Sequence, residues 1–136
     1  MRIAVIDGQG GGIGRAIVEK LKKEIVGVEI LALGTNSIAT SLMLKSGADE
    51  GATGENAVLV NANKVDVIVG VIGIISANAM LGELTPAIAR AIAESPAEKI
   101  LLPLNRCGIE VVGTPKNVPL PALIDELVMA VRTHSV

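Results

Sequence analysis

The chain has 136 residues, half of them hydrophobic, which suffices for one domain with a substantial core. It contains no Phe, Tyr or Trp, carries a formal net charge of −2 and has a single cysteine. This composition argues against a nucleic-acid partner, which needs basic surfaces and aromatic stacking platforms. It also excludes an intrachain disulfide and a multi-cysteine metal centre. We therefore expect residues 1–136 to form one domain without a metal.

The apolar runs are short, and none predicts a signal peptide or a membrane span. The first, residues 3–6, ends at Asp7 and a glycine-rich stretch. The longest, residues 67–81, includes Ser76 and Asn78 and is too short to cross a bilayer comfortably. We therefore expect a soluble, cytoplasmic protein.

The first half of the chain alternates buried-strand patterns with helical patterns. Residues 3–6 (IAVI) are apolar on both faces, as in a buried parallel strand. Apolar residues at helical spacing follow from Ile13 to Ile25. The next segments predict two strands, 28–33 and 48–52, and two helices, 38–45 and 55–63.

The second half continues the alternation. Thr85 and Pro86 begin a predicted helix that runs to about Glu94, because proline is favoured at the first helical position. Apolar runs predict three further strands, at residues 65–69, 99–102 and 109–112. A final amphipathic helix follows Pro119 and Pro121. Its apolar side comprises Leu123, Ile124, Leu127, Val128 and Val131.

Strands that are apolar on both faces and alternate with helices are typical of a parallel sheet covered on both sides. We therefore predict an α/β fold, namely a Rossmann-like, doubly wound and mostly parallel sheet of about six strands with helices on both faces. Ligands of such sheets bind beyond the carboxyl ends of the strands, near the point where the strand order reverses. The loop after the first strand lies at that edge.

This loop reads GQGGGIG over residues 8–14. Glycines allow positive φ and close approach of the backbone to a phosphate, and a helix N-terminus offers unpaired N–H groups and the positive end of its dipole. The stretch therefore predicts a phosphate cradle; the alternative is a tight strand-to-helix turn that binds nothing. The candidate residues are Gly8, Gln9, Gly10, Gly11, Gly12, Ile13, Gly14 and Arg15.

The spacing Gly8-x-x-x-Gly12-x-Gly14, with Ile13 and Ala16, resembles the nucleotide loop of the short-chain dehydrogenases. The resemblance covers roughly the first 35–40 residues, as one βαβ unit would, and it implies NADP or NAD as the cofactor. The catalytic Tyr-x-x-x-Lys pair of that family has no counterpart, because the chain contains no tyrosine. No catalytic residue is therefore implied.

The whole chain also resembles a small bacterial family known only as a domain of unknown function. The resemblance is carried by GQGGGIG at 8–14, LGTN at 33–36, GADEGATGEN at 47–56 and NRC at 105–107. It implies a Rossmann-like fold and no established activity.

The end of the second predicted strand supplies further candidates, Gly34, Thr35 and Asn36. NAD sites usually carry Asp or Glu there to bind ribose hydroxyls, and this sequence does not. The Thr35 hydroxyl and the Asn36 amide, with Arg15 nearby, could instead hold a 2′-phosphate, which favours NADP slightly. Both residues are equally typical of helix N-caps, so simple capping is the alternative.

Arg106 and Cys107 follow a predicted strand and so lie at the same edge of the sheet. Arg106 is a candidate for binding a phosphate or carboxylate, or else an exposed loop charge. Cys107 is a candidate nucleophile, or a structural cysteine. Asn78 and Glu83 lie in a long connection that is a candidate lid or binding loop.

The remaining acidic residues suggest structural roles. Asp7 is expected to brace the glycine loop through the backbone amides of that loop. Asp49, Glu50 and Glu55 lie close together near the third predicted strand. Solvation and helix capping explain this group better than magnesium binding does.

Three functions are compatible with these features. The chain could bind a phosphorylated nucleotide without turnover, and we favour this function because the loop is intact and the usual catalytic groups are absent. It could be a small NAD(P)-dependent oxidoreductase completed by a partner or by dimerisation, with Asp7, Glu83, Cys107 or Lys64 as the acid or base. It could also be an interaction protein that has lost its ligand. The apolar side of the last helix further predicts a homodimer or a larger assembly.

Overall fold

The computed structural model describes residues 1–104 and 107–134. Its five strands are β1 (Arg2–Asp7), β2 (Glu29–Gly34), β3 (Glu50–Thr53), β4 (Val67–Val71) and β5 (Glu98–Leu102). All neighbouring strands are parallel, and they form one sheet in the order β3-β2-β1-β4-β5. This is the doubly wound order, which reverses between β1 and β4. The predicted Rossmann-like α/β fold is therefore confirmed.

Helices connect the strands and cover both faces of the sheet. They are α1 (Gly12–Glu24), α2 (Ser37–Lys45), α3 (Glu55–Asn61), α4 (Pro86–Glu94) and α5 (Leu120–His134), with a 3₁₀ turn over Ile72–Ile75. Successive residues of β1 point to opposite faces, as strand geometry requires. Ile3 and Val5 pack with α1 and α5, whereas Ala4 and Ile6 pack with α3 and α4.

Two helices begin where the sequence predicts a cap. The Asn36 side chain accepts a hydrogen bond from the Ala39 N–H at 2.9 Å, at the start of α2. The Thr85 hydroxyl accepts one from the Ile88 N–H at 3.1 Å, and Pro86 is the first residue of α4. Each bond satisfies an N–H group that the helix itself leaves without a partner.

The strand predicted at residues 109–112 is wrong, and the described part of the chain has five strands rather than six. Val112 is 92% exposed, and the segment is irregular, with a turn at Val112 and Gly113. An apolar run becomes a strand only when it has a neighbouring strand to pair with. Here β5 ends the sheet, and the glycines and prolines around the run favour turns.

The apolar side of α5 does not form the self-association surface that the sequence predicted. Ile124, Leu127, Val128 and Val131 are buried in the core against α1 and the sheet. This side of the helix is therefore occupied within the chain and does not provide the exposed surface expected for a partner. No helix in the described ranges is long and apolar enough to cross a bilayer.

Candidate functional site

Asp7 binds both ends of the loop between β1 and α1 through backbone N–H groups, as the sequence indicates. The Asp7 Oδ1 atom accepts the Gly8 N–H at 2.8 Å, and its Oδ2 atom accepts the Gly14 N–H at 2.6 Å. The Gly11 N–H donates to the Gly8 carbonyl at 3.0 Å and closes the turn. Asp7 thus joins the end of the strand to the first turn of the helix.

Burial raises the pKa of the Asp7 carboxyl above its usual value of 3.8. The hydrogen bonds from Gly14 and Gly8 lower this pKa and offset part of the effect, and the negative charge of Glu83 raises it further. The cause is the loss of solvation, which disfavours the charged form of a buried carboxyl. The carboxyl that binds the N–H groups of Gly8 and Gly14 is therefore more readily protonated than a solvated aspartate.

Three of the five loop glycines are required by packing. A Cβ atom at Gly14 would lie 2.8 Å from the Asp7 Cβ and 2.8 Å from the Met43 sulfur. At Gly11, where φ is +73°, it would lie 2.7 Å from the Ala39 Cα. At Gly8 it would overlap the Thr35 hydroxyl. These three positions accept no larger residue unless the neighbouring structure moves.

The other two glycines of the loop have open space around them. A Cβ atom at Gly10 or at Gly12 would have no heavy atom within 4 Å, and neither residue has a positive φ. Neither packing nor backbone conformation within the described structure therefore requires glycine at these two positions. Both face the cleft described next.

A cleft of about 710 Å³ opens at the carboxyl ends of β1 and β4, where the strand order reverses. Residues 7–13 form its polar side. Its apolar side includes Val71, Met80, Leu81, Leu104 and Leu120. Among the residues that the structure describes, none of those lining the cleft is a lysine or an arginine.

Glu83 bridges the glycine loop and the end of β2. Its Oε1 atom accepts three hydrogen bonds, from the Gln9 N–H at 2.8 Å, the Thr35 hydroxyl at 2.7 Å and the Asn36 amide at 2.8 Å. The Gln9 bond is the main cause of a lowered pKa for Glu83, and the Thr35 and Asn36 bonds act in the same direction. Hydrogen bonds to the charged form stabilise the carboxylate.

The structure thus brings together most of the residues predicted from the loop and from the end of β2. Thr35 and Asn36 contact a carboxylate, not a cation, and Asn36 also caps α2. Gly34 is packed against Thr40, so that a Cβ atom there would overlap the Thr40 hydroxyl. Capping and packing therefore account for much of this group.

The remaining candidates are more scattered. Arg15 is exposed on α1 and is not among the residues that line the cleft. Cys107 does line it. Asn78 shapes the connection after β4, with φ +67° and a 2.8 Å hydrogen bond from its N–H to the Leu84 carbonyl. Arg106 lies outside the described residues.

The acidic residues near β3 form ion pairs. Asp49 binds the Lys22 ammonium at 2.6 Å, and Glu50 lies 3.3 Å from the Arg2 guanidinium. Glu55 begins α3. Within residues 1–104 and 107–134, no three His, Cys, Asp or Glu side chains are grouped closely enough to hold a metal ion.

The apolar side of the cleft is not evident from the sequence. Met80 and Leu81 come from the connection after β4, and Leu120 begins α5. The length of that connection is the only available signal, because no motif marks residues that converge from distant segments.

The family model of a domain of unknown function, DUF3842, matches residues 2–135. The chain belongs to this family. The family description agrees with the resemblance seen in the sequence, and it assigns no activity. No curated protein matches the sequence.

Several solved structures share the fold of this DUF3842 chain. A dodecameric FMN-dependent UbiX-like decarboxylase from Escherichia coli O157:H7 has a TM-score of 0.50 and 13% identity, covering 100% of this chain and 96% of the decarboxylase. AibC has a TM-score of 0.50 and 16% identity, covering 98% and 42% of the two chains. A quinone oxidoreductase from Thermus thermophilus has a TM-score of 0.44 and 23% identity, covering 93% and 43%.

The DUF3842 chain thus spans less than half the length of AibC and of the quinone oxidoreductase. At these identities the likeness to the decarboxylase and to AibC shows the α/β fold alone.

Proposed function

We propose that the cleft binds a phosphorylated nucleotide and that a phosphate group lies against the N-terminus of α1. The observation that carries this proposal is the open space at Gly10 and Gly12. Packing explains the other three glycines of the loop, but it does not explain these two. Close approach of a ligand to the backbone does explain them, because a side chain at either position would point into the ligand's space.

The backbone at the start of α1 supports the same assignment. The Asp7 carboxyl accepts the Gly14 N–H. The N–H groups of Gly12 and Ile13, by contrast, donate no hydrogen bond within the described structure, and the N-cap residue Gly11 has no side chain to accept them. N–H groups of this kind, together with the positive end of the helix dipole, favour an anion. Phosphate is the anion that suits the glycine spacing, which is similar to that of the short-chain dehydrogenases.

The cleft has the size and lining expected for such a ligand. Its volume of about 710 Å³ lies within the usual range for sites that bind small molecules and cofactors. Its apolar side would contact a base or a flavin ring, while residues 8–13 would contact the phosphate. NADP, NAD and FMN are therefore the cofactors to test; the UbiX-like decarboxylase of similar fold is FMN-dependent.

Binding of FMN, NADH and NADPH tests this proposal directly. The chain has no Trp or Tyr, so ligand fluorescence is measured without a protein background. We expect at least one ligand to bind, and we expect Gly12→Asp to abolish that binding. The new carboxylate would repel the phosphate yet suit the dipole at the start of the helix, so folding should be retained.

The matched control is Ser41→Asp, which adds a carboxylate to an exposed position of α2. It should leave binding unchanged. Binding retained by a folded Gly12→Asp variant would place the phosphate elsewhere. If the folded wild-type protein binds none of the three ligands, the alternative of an interaction protein is favoured. Consumption of NADPH with an electron acceptor would favour the oxidoreductase.

We also propose that the chain associates with copies of itself. Exposed apolar side chains support this proposal: Ile38 and Leu44 on α2, and Leu59 and Val60 on α3. Both helices pack against β3, which pairs only with β2 within the described sheet. An edge strand between two apolar helix surfaces is suited to pairing with another chain.

A further inference from the structure

Glu83 lies next to the cleft, on the connection that supplies two of the residues lining it, Met80 and Leu81. Its single Oε1 atom receives hydrogen bonds from the loop after β1, through Gln9, and from the end of β2, through Thr35 and Asn36. The Asn36 amide also donates to the Gln9 carbonyl at 2.9 Å. These four residues therefore form a continuous hydrogen-bonded bridge between the two loops.

The side chains of Thr35, Met80 and Glu83 pack closely around Gly8, next to this bridge. A Cβ atom at Gly8 would overlap the Thr35 hydroxyl and would lie 2.7 Å from the Met80 sulfur and 3.2 Å from Glu83 Oε1. Thr35, Asn36 and Glu83 do not line the cleft, which opens instead at the carboxyl ends of β1 and β4. A ligand in the cleft is thus separated from the end of β2 by the connection that carries Met80 and Glu83.

This separation matters because of how doubly wound sheets hold dinucleotides. A dinucleotide crosses the loop after the first strand and places its adenosine ribose at the end of the second strand. In this protein the Thr35 hydroxyl and the Asn36 amide at that position already donate their hydrogen bonds to the Glu83 carboxylate. A mononucleotide needs only the cleft and the start of α1, and so it does not require the bridge to open.

We propose that Glu83 is a specificity-determining residue that favours mononucleotides over NADP(H), whose adenosine half carries a 2′-phosphate. This inference rests on the proposed nucleotide binding and names its ligand class. A 2′-phosphate is disfavoured most strongly, since it would face the Glu83 carboxylate and would compete with it for Thr35 and Asn36.

Glu83→Ala and Glu83→Gln separate the two contributions of this residue. Alanine removes both the bridge and its charge, whereas glutamine keeps an acceptor oxygen and removes only the charge. We expect wild-type protein to bind FMN about tenfold or more tightly than NADPH. We expect Glu83→Ala to improve NADPH affinity about tenfold, with a smaller gain for Glu83→Gln, and to change FMN affinity by less than about threefold.

Fluorescence titration with FMN and NADPH, with AMP as a competing mononucleotide, measures these changes, and circular dichroism confirms folding. If Glu83→Ala does not fold, Glu83→Gln carries the test. Wild-type binding of NADPH as tight as that of FMN would overturn the inference and leave nucleotide binding intact. So would folded variants with unchanged NADPH affinity. Failure of every folded protein to bind FMN, AMP or NADPH would instead overturn the proposed function itself.

Discussion

Gly12 and Gly14 lie two residues apart at the start of α1, but Gly14 is tightly packed whereas Gly12 has open space around it. We expect Gly14→Ala to lower the free energy of unfolding by about 1–3 kcal/mol, because its Cβ atom would crowd Asp7 and Met43. Gly12→Ala should leave it unchanged or raise it by up to about 1 kcal/mol, since the position is open and alanine favours a helix. Urea unfolding followed by circular dichroism measures both; equal losses would contradict the packing argument.

The buried carboxyl of Asp7 should make stability depend on pH. Its pKa in the folded protein is raised above 3.8, chiefly by burial. The folded state therefore binds the proton more tightly than the unfolded state. The contribution of the protonated group is fully present below pH 3.8, and it is lost as pH rises through the folded-state pKa.

Asp7→Asn isolates this dependence, because asparagine does not titrate. The difference in unfolding free energy between wild type and variant should fall as pH rises from 3.8 through the folded-state pKa, and then stay constant. Urea titrations of both proteins between acid and neutral pH provide the measurement. A difference that rises with pH would show that the Gly8 and Gly14 bonds outweigh the burial of the carboxyl.

Asp7 and Glu83 also show what sequence reasoning can reach at single residues. The role of Asp7 could be predicted because it directly precedes the glycines that it binds. The role of Glu83 could not, because 74 positions separate it from Gln9. Its place depends on the path of the connection after β4, where Asn78, Met80 and Leu81 have positive φ values that no sequence pattern announced.

At the scale of the elements, caps and hydrophobic periodicity predicted most helices and strands, including the short strand β3. The failure at residues 109–112 has a physical cause. The hydrophobic pattern indicates how much apolar surface a segment could bury. A strand also needs a free sheet edge and a neighbouring strand in register. Neither condition is visible within the segment itself.

The cap of α4 can be tested on its own. Thr85→Ala should lower the free energy of unfolding by about 1 kcal/mol, because the Ile88 N–H would lose its acceptor. Thr85→Ser keeps the hydroxyl and should cost less. Thermal and urea unfolding of both variants measure the difference; equal losses would mean that the threonine methyl group, rather than the cap, stabilises this end of the helix.

At the scale of the whole molecule, alternation of strands and helices led to the parallel sheet and to the edge where the cleft lies. It did not define the walls of that cleft. The glycine loop, the connection after β4 and the start of α5 meet only because the strand order reverses between β1 and β4. Such convergence is a property of the folded topology, so no single segment encodes it.

Self-association is the remaining prediction at this scale. Because the apolar side of α5 is buried, we propose that the interface lies beside the β3 edge, where Ile38 and Leu44 on α2 and Leu59 and Val60 on α3 are exposed. We therefore expect sedimentation equilibrium at micromolar concentrations to give a mass above the monomer value of 13.9 kDa. A monomeric wild-type protein would contradict this.

The location of the interface can be tested by adding charge to either surface. Val60 is 46% exposed on α3, whereas Met129 is 60% exposed on α5. Combining Ile38→Glu with Val60→Glu should shift the sedimentation mass to that of the monomer, because like charges would be buried next to each other across the interface. Met129→Glu, on a different helix, should leave the assembly intact. If Met129→Glu alone dissociates the protein, the interface involves α5 and the β3 edge is not the contact.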